Sequence, residues 1–109
     1  MITIDVKKGK TVTIEVQGHA GAGELGEDVV CAAVTTLCLT YARAMTQIRA
    51  KGFSSVMQNG YAYLECKRMK ANAPYVHMML SGLVMLAGMY PEYITMTKEN
   101  IEEVIGKGE

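Results

Sequence analysis

Ile2-Thr-Ile-Asp-Val-Lys-Lys-Gly-Lys-Thr-Val-Thr-Ile-Glu-Val16 is the stretch from which the fold can be read. Ile2, Ile4 and Val6 alternate with polar residues, Lys8-Gly9-Lys10 supplies a turn, and Val12, Ile14 and Val16 alternate again. A period of two puts every second side chain on one face, so the stretch predicts two adjacent antiparallel strands.

Downstream the period changes. Val30, Val34, Leu37, Tyr41, Met45 and Ile48 recur at helical spacing, and Lys51-Gly52 closes the run with a cation and a C-terminal glycine. Ser55 to Gln58 and Tyr61 to Cys66 flank Asn59-Gly60, a dipeptide that tolerates positive φ, and predict a second hairpin. Asn72-Ala-Pro74 reads as a helix start with proline in the first turn, followed by a Met-rich helix to about Tyr90 that Pro91 stops. Tyr93-Ile-Thr-Met-Thr97 reads as a last strand, and Ile101, Val104 and Ile105 as a short helical turn or a frayed tail. The order is ββαββαβ. Short hairpin links make it a two-layer α/β sandwich, a mostly antiparallel sheet carrying two long helices, in one domain over residues 1–109.

The chain has 109 residues, half of them apolar, enough for an ordinary core that buries roughly 65% of the unfolded surface. Eleven basic and eleven acidic residues cancel, so there is no global field to hold a polyanion, and direct nucleic-acid binding is not expected. Three cysteines at irregular spacing, without Cys-x-x-Cys, argue against a disulfide framework and a metal site and suit the cytosol. The N-terminus alternates like a strand and lacks the apolar block of a signal peptide, so the chain is expected to start as mature protein. Pro74 to Pro91 carries no Asp, Glu, Lys or Arg. It is shorter than the ~20 residues a spanning helix needs and is interrupted by His77, Ser81, Gly82 and Gly88, so a buried or interface helix is expected rather than a membrane span.

The chemistry concentrates in Gly18-His-Ala-Gly-Ala-Gly-Glu-Leu-Gly-Glu-Asp-Val-Val-Cys31, a strand end leading through a glycine-rich loop into a helix. Histidine accepts a proton from a thiol at neutral pH and a thiolate is a strong nucleophile, so His19 and Cys31 fit a minimal hydrolytic pair. Gly21, Gly23 and Gly26 let the loop fold back so that the two meet, and let it lie close to a bound peptide. With Glu27 or Asp28 near the cap, Cys31 falls in the first turn, where free amides and the helix dipole favour an anion. The charges of Glu27 and Asp28 oppose this unless Asp28 turns toward the cap amides or His19. The other reading of the same residues is a small buried Cys31 and a loop His19 held by backbone. The string Gly21-Ala-Gly23-Glu-Leu-Gly26 also fits a dinucleotide fingerprint. Its acidic partner would fall inside the long helix, and Glu24, Glu27 and Asp28 would repel a pyrophosphate, so no nucleotide cofactor is expected.

Gly18-His19-Ala20, followed by Gly26-x-Asp28-x-Val30-Cys31-Ala32-Ala33-Val34, resembles the signature of the bacterial ribosomal-processing cysteine proteases known as Prp, and the similarity covers essentially the whole chain. The resemblance implies an endopeptidase that removes a short N-terminal extension from a large-subunit ribosomal protein, cutting after an aromatic residue. It assigns Cys31 as nucleophile and His19 as base, and implies a homodimer and a glycine loop that rearranges around substrate. Gly21, Gly23, Gly26, Asp28 and Thr35 take supporting or substrate-binding roles, Thr35 standing where many members have serine. No cofactor is implied.

The oxyanion is then expected to meet backbone N–H groups at the start of the first helix, including that of Cys31, with Asp28 the nearest group to orient the imidazole. Cys38 and Cys66 read as core residues. His77 fits a hydrogen-bonded core or interface position better than a base. Met78, Met79, Met85 and Met89, with Leu83 and Leu86, ring most of the second helix, more than one sheet face can cover. A dimer built on this helix is the first reading, and a Met-lined groove for an aromatic-rich peptide the second. Glu24, Glu27 and Asp28 are placed to attract the lysines of a ribosomal protein terminus. The rival to an enzyme is a non-catalytic module that binds such a segment through the same loop and helix.

Overall fold

The structure is a computed structural model describing residues 1–18 and 25–97, with the backbone alone described at 25–28. Its elements are β1 (Ile2–Lys8), β2 (Thr11–Gln17), α1 (Leu25–Gln47), β3 (Ser54–Gln58), β4 (Tyr61–Lys67), α2 (Ala73–Met89) and β5 (Ile94–Met96). The ββαββαβ order and the two-layer architecture agree with the expectation. The Ile101–Ile105 run lies outside the described residues.

The sheet runs β3-β4-β2-β1-β5. The first hairpin pairs Ile4 with Val16 and Val6 with Ile14, and β2 pairs antiparallel with β4 through Ile14 and Leu64. Matching parity across these pairs brings Ile4, Val6, Ile14, Val16, Leu64 and Cys66 onto one face, all buried. The last strand differs from its neighbours by pairing parallel to β1, Ile2 opposite Ile94 and Ile4 opposite Met96. The ladder extends past its ends through Ile2 N–H to the Tyr93 carbonyl (2.8 Å) and Thr97 N–H to the Ile4 carbonyl (2.9 Å). A parallel addition needs a crossover, and α2 is that crossover, carrying the chain from the end of β4 over two strands to the far edge.

The helices cover the apolar face. Val30, Val34, Cys38, Tyr41 and Met45 are the buried stripe of α1, and Val76, Met79, Leu80, Leu83 and Leu86 that of α2. Tyr41 ties the layers together. Its ring meets Phe53 edge-on with centroids 6.0 Å apart, and its hydroxyl lies 3.7 Å from the Cys66 sulfur. Over Val29–Gln47, α1 is long and apolar enough to cross a membrane by length and composition, a test that core helices of soluble proteins also pass.

Both ends of α1 depart from expectation. The C-terminus is not closed by Gly52. Arg49 takes the left-handed conformation at φ 54°, Ala50 N–H bonds to the Met45 carbonyl (2.9 Å) and Arg49 N–H to the Thr46 carbonyl (3.1 Å), a Schellman closure with an arginine where glycine is usual. Gly52, at φ 73°, belongs to the following turn. At the other end the helix begins at Leu25, ahead of the anticipated cap at Glu27 or Asp28.

Candidate active site

The cleft at the N-terminal end of α1 is built where β2 stops. Gly18 follows β2 at φ 108° and donates its N–H to the Gly60 carbonyl at 3.0 Å, tying the strand end to the β3–β4 turn. A Cβ on Gly18 would collide with the Met1 carbonyl oxygen, so only glycine lets the chain pass between β1 and this turn. Beside this crossing lies a cleft of about 250 Å³. Cys31 and Thr35 lie along one wall, Gly18 and the Asn59–Gly60 turn bound it, and Val16 and Met57 give it apolar surface.

Cys31 and Thr35 are four residues apart on one helix face, as helical geometry requires of side chains that share a wall. Cys31 is half-buried. The other thiols differ. Cys38, two turns on along the same face, also borders the cleft, but it is 2% exposed and burial pushes its thiol up to about 11. Cys66 is fully buried, and its thiol is pushed up chiefly by burial, with the Tyr41 hydroxyl opposing and the Glu65 charge adding to the rise. Both match the expectation of core cysteines. Of the three, Cys31 is the one that reaches the cleft without being sealed in the core.

The early helix start corrects the placement of Cys31. Counting from Leu25, it is the seventh residue of α1, in the second turn rather than the first. Its N–H is therefore committed to the carbonyl of Glu27 in the helical ladder and is not an oxyanion donor. The free amides of the first turn belong to residues 25–28, and the dipole effect fades beyond that turn. The extra turn forms because nothing in Leu25-Gly-Glu-Asp forbids helical dihedrals once Val30 and Val34 are anchored in the core.

Of the remaining sequence candidates, Gly26 and Asp28 fall in the first turn of α1, while His19, Gly21 and Gly23 lie outside the described residues. His77 is half-buried on α2 and does not line the cleft. Among the described residues no three His, Cys, Asp or Glu side chains gather in a way that would hold a metal. Sequence reasoning missed Met57, Asn59 and Tyr61 as cleft residues. Asn59-Gly60 signals a tight turn, but nothing local tells that β4 pairs with β2 and so swings this turn against Gly18. The Tyr61 hydroxyl is held on the sheet by a 2.7 Å bond to a Glu15 carboxylate oxygen.

The same architecture recurs among known proteins. The ribosomal processing protease Prp of S. aureus, solved with a substrate peptide, superposes with a TM-score of 0.74 at 22% identity, covering 89% of this chain and 98% of that one. Its complex with a covalently linked product peptide gives 0.71 at 23% identity over the same shares. SMU.848 from Streptococcus mutans gives 0.66 at 26% identity, covering 89% of this chain and 92% of that one. No curated protein matches the chain significantly in sequence. The family model for cysteine protease Prp matches residues 1–95, a span that takes in both helices and the cleft. With a free thiol in the wall of that cleft and a match over most of its length, the chain belongs to the cysteine protease Prp family.

Proposed function

We propose that the protein is a cysteine endopeptidase in which His19 takes the proton of Cys31, and that it trims the N-terminal extension of a large-subunit ribosomal protein in the cytoplasm. The observation that carries this reading is that Gly18, the residue immediately before His19, borders the same cleft as Cys31. That His19 directly follows Gly18 in the chain supports its pairing with Cys31. His77, the chain's other histidine, does not border that cleft.

In this reading the Cys31 thiolate attacks the scissile carbonyl and the protonated imidazole gives its proton to the leaving amine. Water, deprotonated by the same histidine, then releases the acyl group. The first-turn amides of α1 and the glycine loop meet the developing oxyanion. Val16, Val34 and Met57 offer an apolar seat for an aromatic side chain at the cut. That the S. aureus relative is solved with a covalently linked product peptide supports a covalent route. Met78, Met85 and Met89 are 79%, 58% and 57% exposed along one side of α2, and we assign that side to a homodimer contact.

Incubation with the host's unprocessed ribosomal protein is expected to remove a short N-terminal mass. Cys31→Ser and His19→Ala each abolish that loss without lowering the unfolding temperature, whereas Cys38→Ala and His77→Ala retain it. Retained cleavage in Cys31→Ser would refute the mechanism. Met85→Glu is expected to convert the dimer to a monomer in sedimentation.

A further inference from the structure

The opposite end of the sheet carries a charge pattern that the peptidase reading does not use. Lys8 ends β1, Lys67 ends β4, and Lys10 lies in the β1–β2 turn. The backbone binds these segments to each other and to the loops beside them: Arg68 N–H to the Lys10 carbonyl and Lys67 N–H to the Lys51 carbonyl, both at 3.0 Å. Asn72, 2% exposed, donates its amide to the Lys67 carbonyl at 2.8 Å and the Lys51 carbonyl at 3.2 Å. Lys70 lies just before α2, its carbonyl accepting Ala73 N–H at 3.2 Å. Six cations are thereby gathered at the adjacent ends of β1, β2 and β4 and on the loops tied to them. Lys8, Lys67 and Arg68 line a hollow of about 110 Å³ with Ala73 and Val76 of the first turn of α2, whose dipole adds positive potential. Lys10, Lys51, Lys67, Arg68 and Lys70 are exposed. Among the described residues, Asp5 faces Lys7 at 3.9 Å and Glu65 accepts from the Tyr63 hydroxyl at 2.7 Å.

We propose that this end of the molecule is a docking surface for RNA. Its occupant is anionic, which excludes a basic ribosomal protein tail and so separates this surface from the substrate cleft. Among polyanions the choice of RNA rests on the ribosomal substrate proposed above, a protein destined for an RNA-built particle. β1, β2 and β4 are seven residues long, so the cations stand about 20 Å from the cleft, close enough for one particle to engage both. A zero net charge does not reveal this arrangement, because the sum over the chain is blind to where in the fold each charge lies; Glu27 and Asp28 fall in the first turn of α1, at the cleft end.

The test is fluorescence anisotropy of a labelled hairpin RNA, which reports binding whether or not the protein cleaves peptides. If about three phosphates are neutralised, affinity falls about 30-fold between 50 and 200 mM salt. Lys10→Glu, Lys51→Glu and Lys70→Glu together are expected to weaken binding by about tenfold or more at the lower salt, with cleavage of a free peptide and the melting temperature unchanged. The matching triple glutamine variant removes charge without adding repulsion and is expected to fall between the two, so the surface stays testable if the reversal perturbs folding. The proposal is overturned if the wild type does not bind RNA at 50 mM salt, if the glutamine variant binds as tightly as wild type, or if phosphatidylglycerol vesicles are bound and RNA is not. A wild type that binds RNA but cuts no precursor would sink the peptidase reading and leave this surface standing.

Discussion

At one end of β1, β2 and β4 the chain leaves the sheet through Gly18 and Gly60, and the result is an apolar cleft with a thiol in its wall. At the other end it leaves through lysines and an arginine, and the segments are held by the buried amide of Asn72. The same strands frame both ends, so the difference comes from the connections. Glycine removes side-chain bulk and leaves room for the cleft. The asparagine does the opposite, filling the space beneath the loops with hydrogen bonds and leaving the cations outside.

The largest break in that comparison is expected at Gly18. Gly18→Ala imposes a φ of 108° on an L-residue and drives its Cβ into the Met1 carbonyl oxygen, a cost of about 3 kcal/mol or more in urea unfolding. Any folded fraction should also lose precursor cleavage, because the residue after Gly18 is the proposed base. Asn72→Ala probes the opposite end. It removes the amide donor from the Lys67 carbonyl and leaves the Lys51 carbonyl with the Lys67 N–H alone, and is expected to cost about 2 kcal/mol in the same assay, with cleavage per folded molecule unchanged.

A third measurement contrasts the cysteines of α1. Burial raises the Cys38 thiol from its ordinary 9.0 to about 11, so between those pH values the unfolded chain releases a proton that the folded chain keeps. Stability is therefore fully present below pH 9 and declines as pH rises toward 11, and urea midpoints over that window should fall less steeply in Cys38→Ala. Iodoacetamide under native conditions should label Cys31 ahead of Cys38 and Cys66. The smallest effect is expected at the C-terminus of α1. Arg49→Gly relieves a left-handed arginine at φ 54° and should raise stability by about 0.5–1 kcal/mol, read as a higher urea midpoint.

Much of this was legible because it is local. Alternation in β1 and β2 marked the buried face correctly, and Asn59-Gly60 and Asn72-Ala-Pro74 marked a turn and a helix start where they occur. The chemistry was legible in part: Cys38 and Cys66 as inert core thiols follow from their apolar surroundings, and the His19 and Cys31 signature led to the right family. Misreadings occurred where two local signals competed. Gly52 looked like the end of α1, but Arg49 closes the helix because its backbone bonds outweigh the strain of a non-glycine residue there. Glu27 and Asp28 looked like a cap, and the helix runs through them.

By itself the sequence determined the periods, hence which side of each strand and helix is apolar, the order of elements, and the residue types available for chemistry. Those are properties of neighbours along the chain, set by backbone geometry and side-chain hydrophobicity. Only the tertiary structure decided that β5 lies parallel to β1, that the β3–β4 turn closes over Gly18 to form the cleft, that Cys31 sits in the second turn of α1, and that cations distant in the chain share one end. These depend on which strands pair and in what register, and that choice is made by burying all the apolar faces at once, a condition no single segment contains.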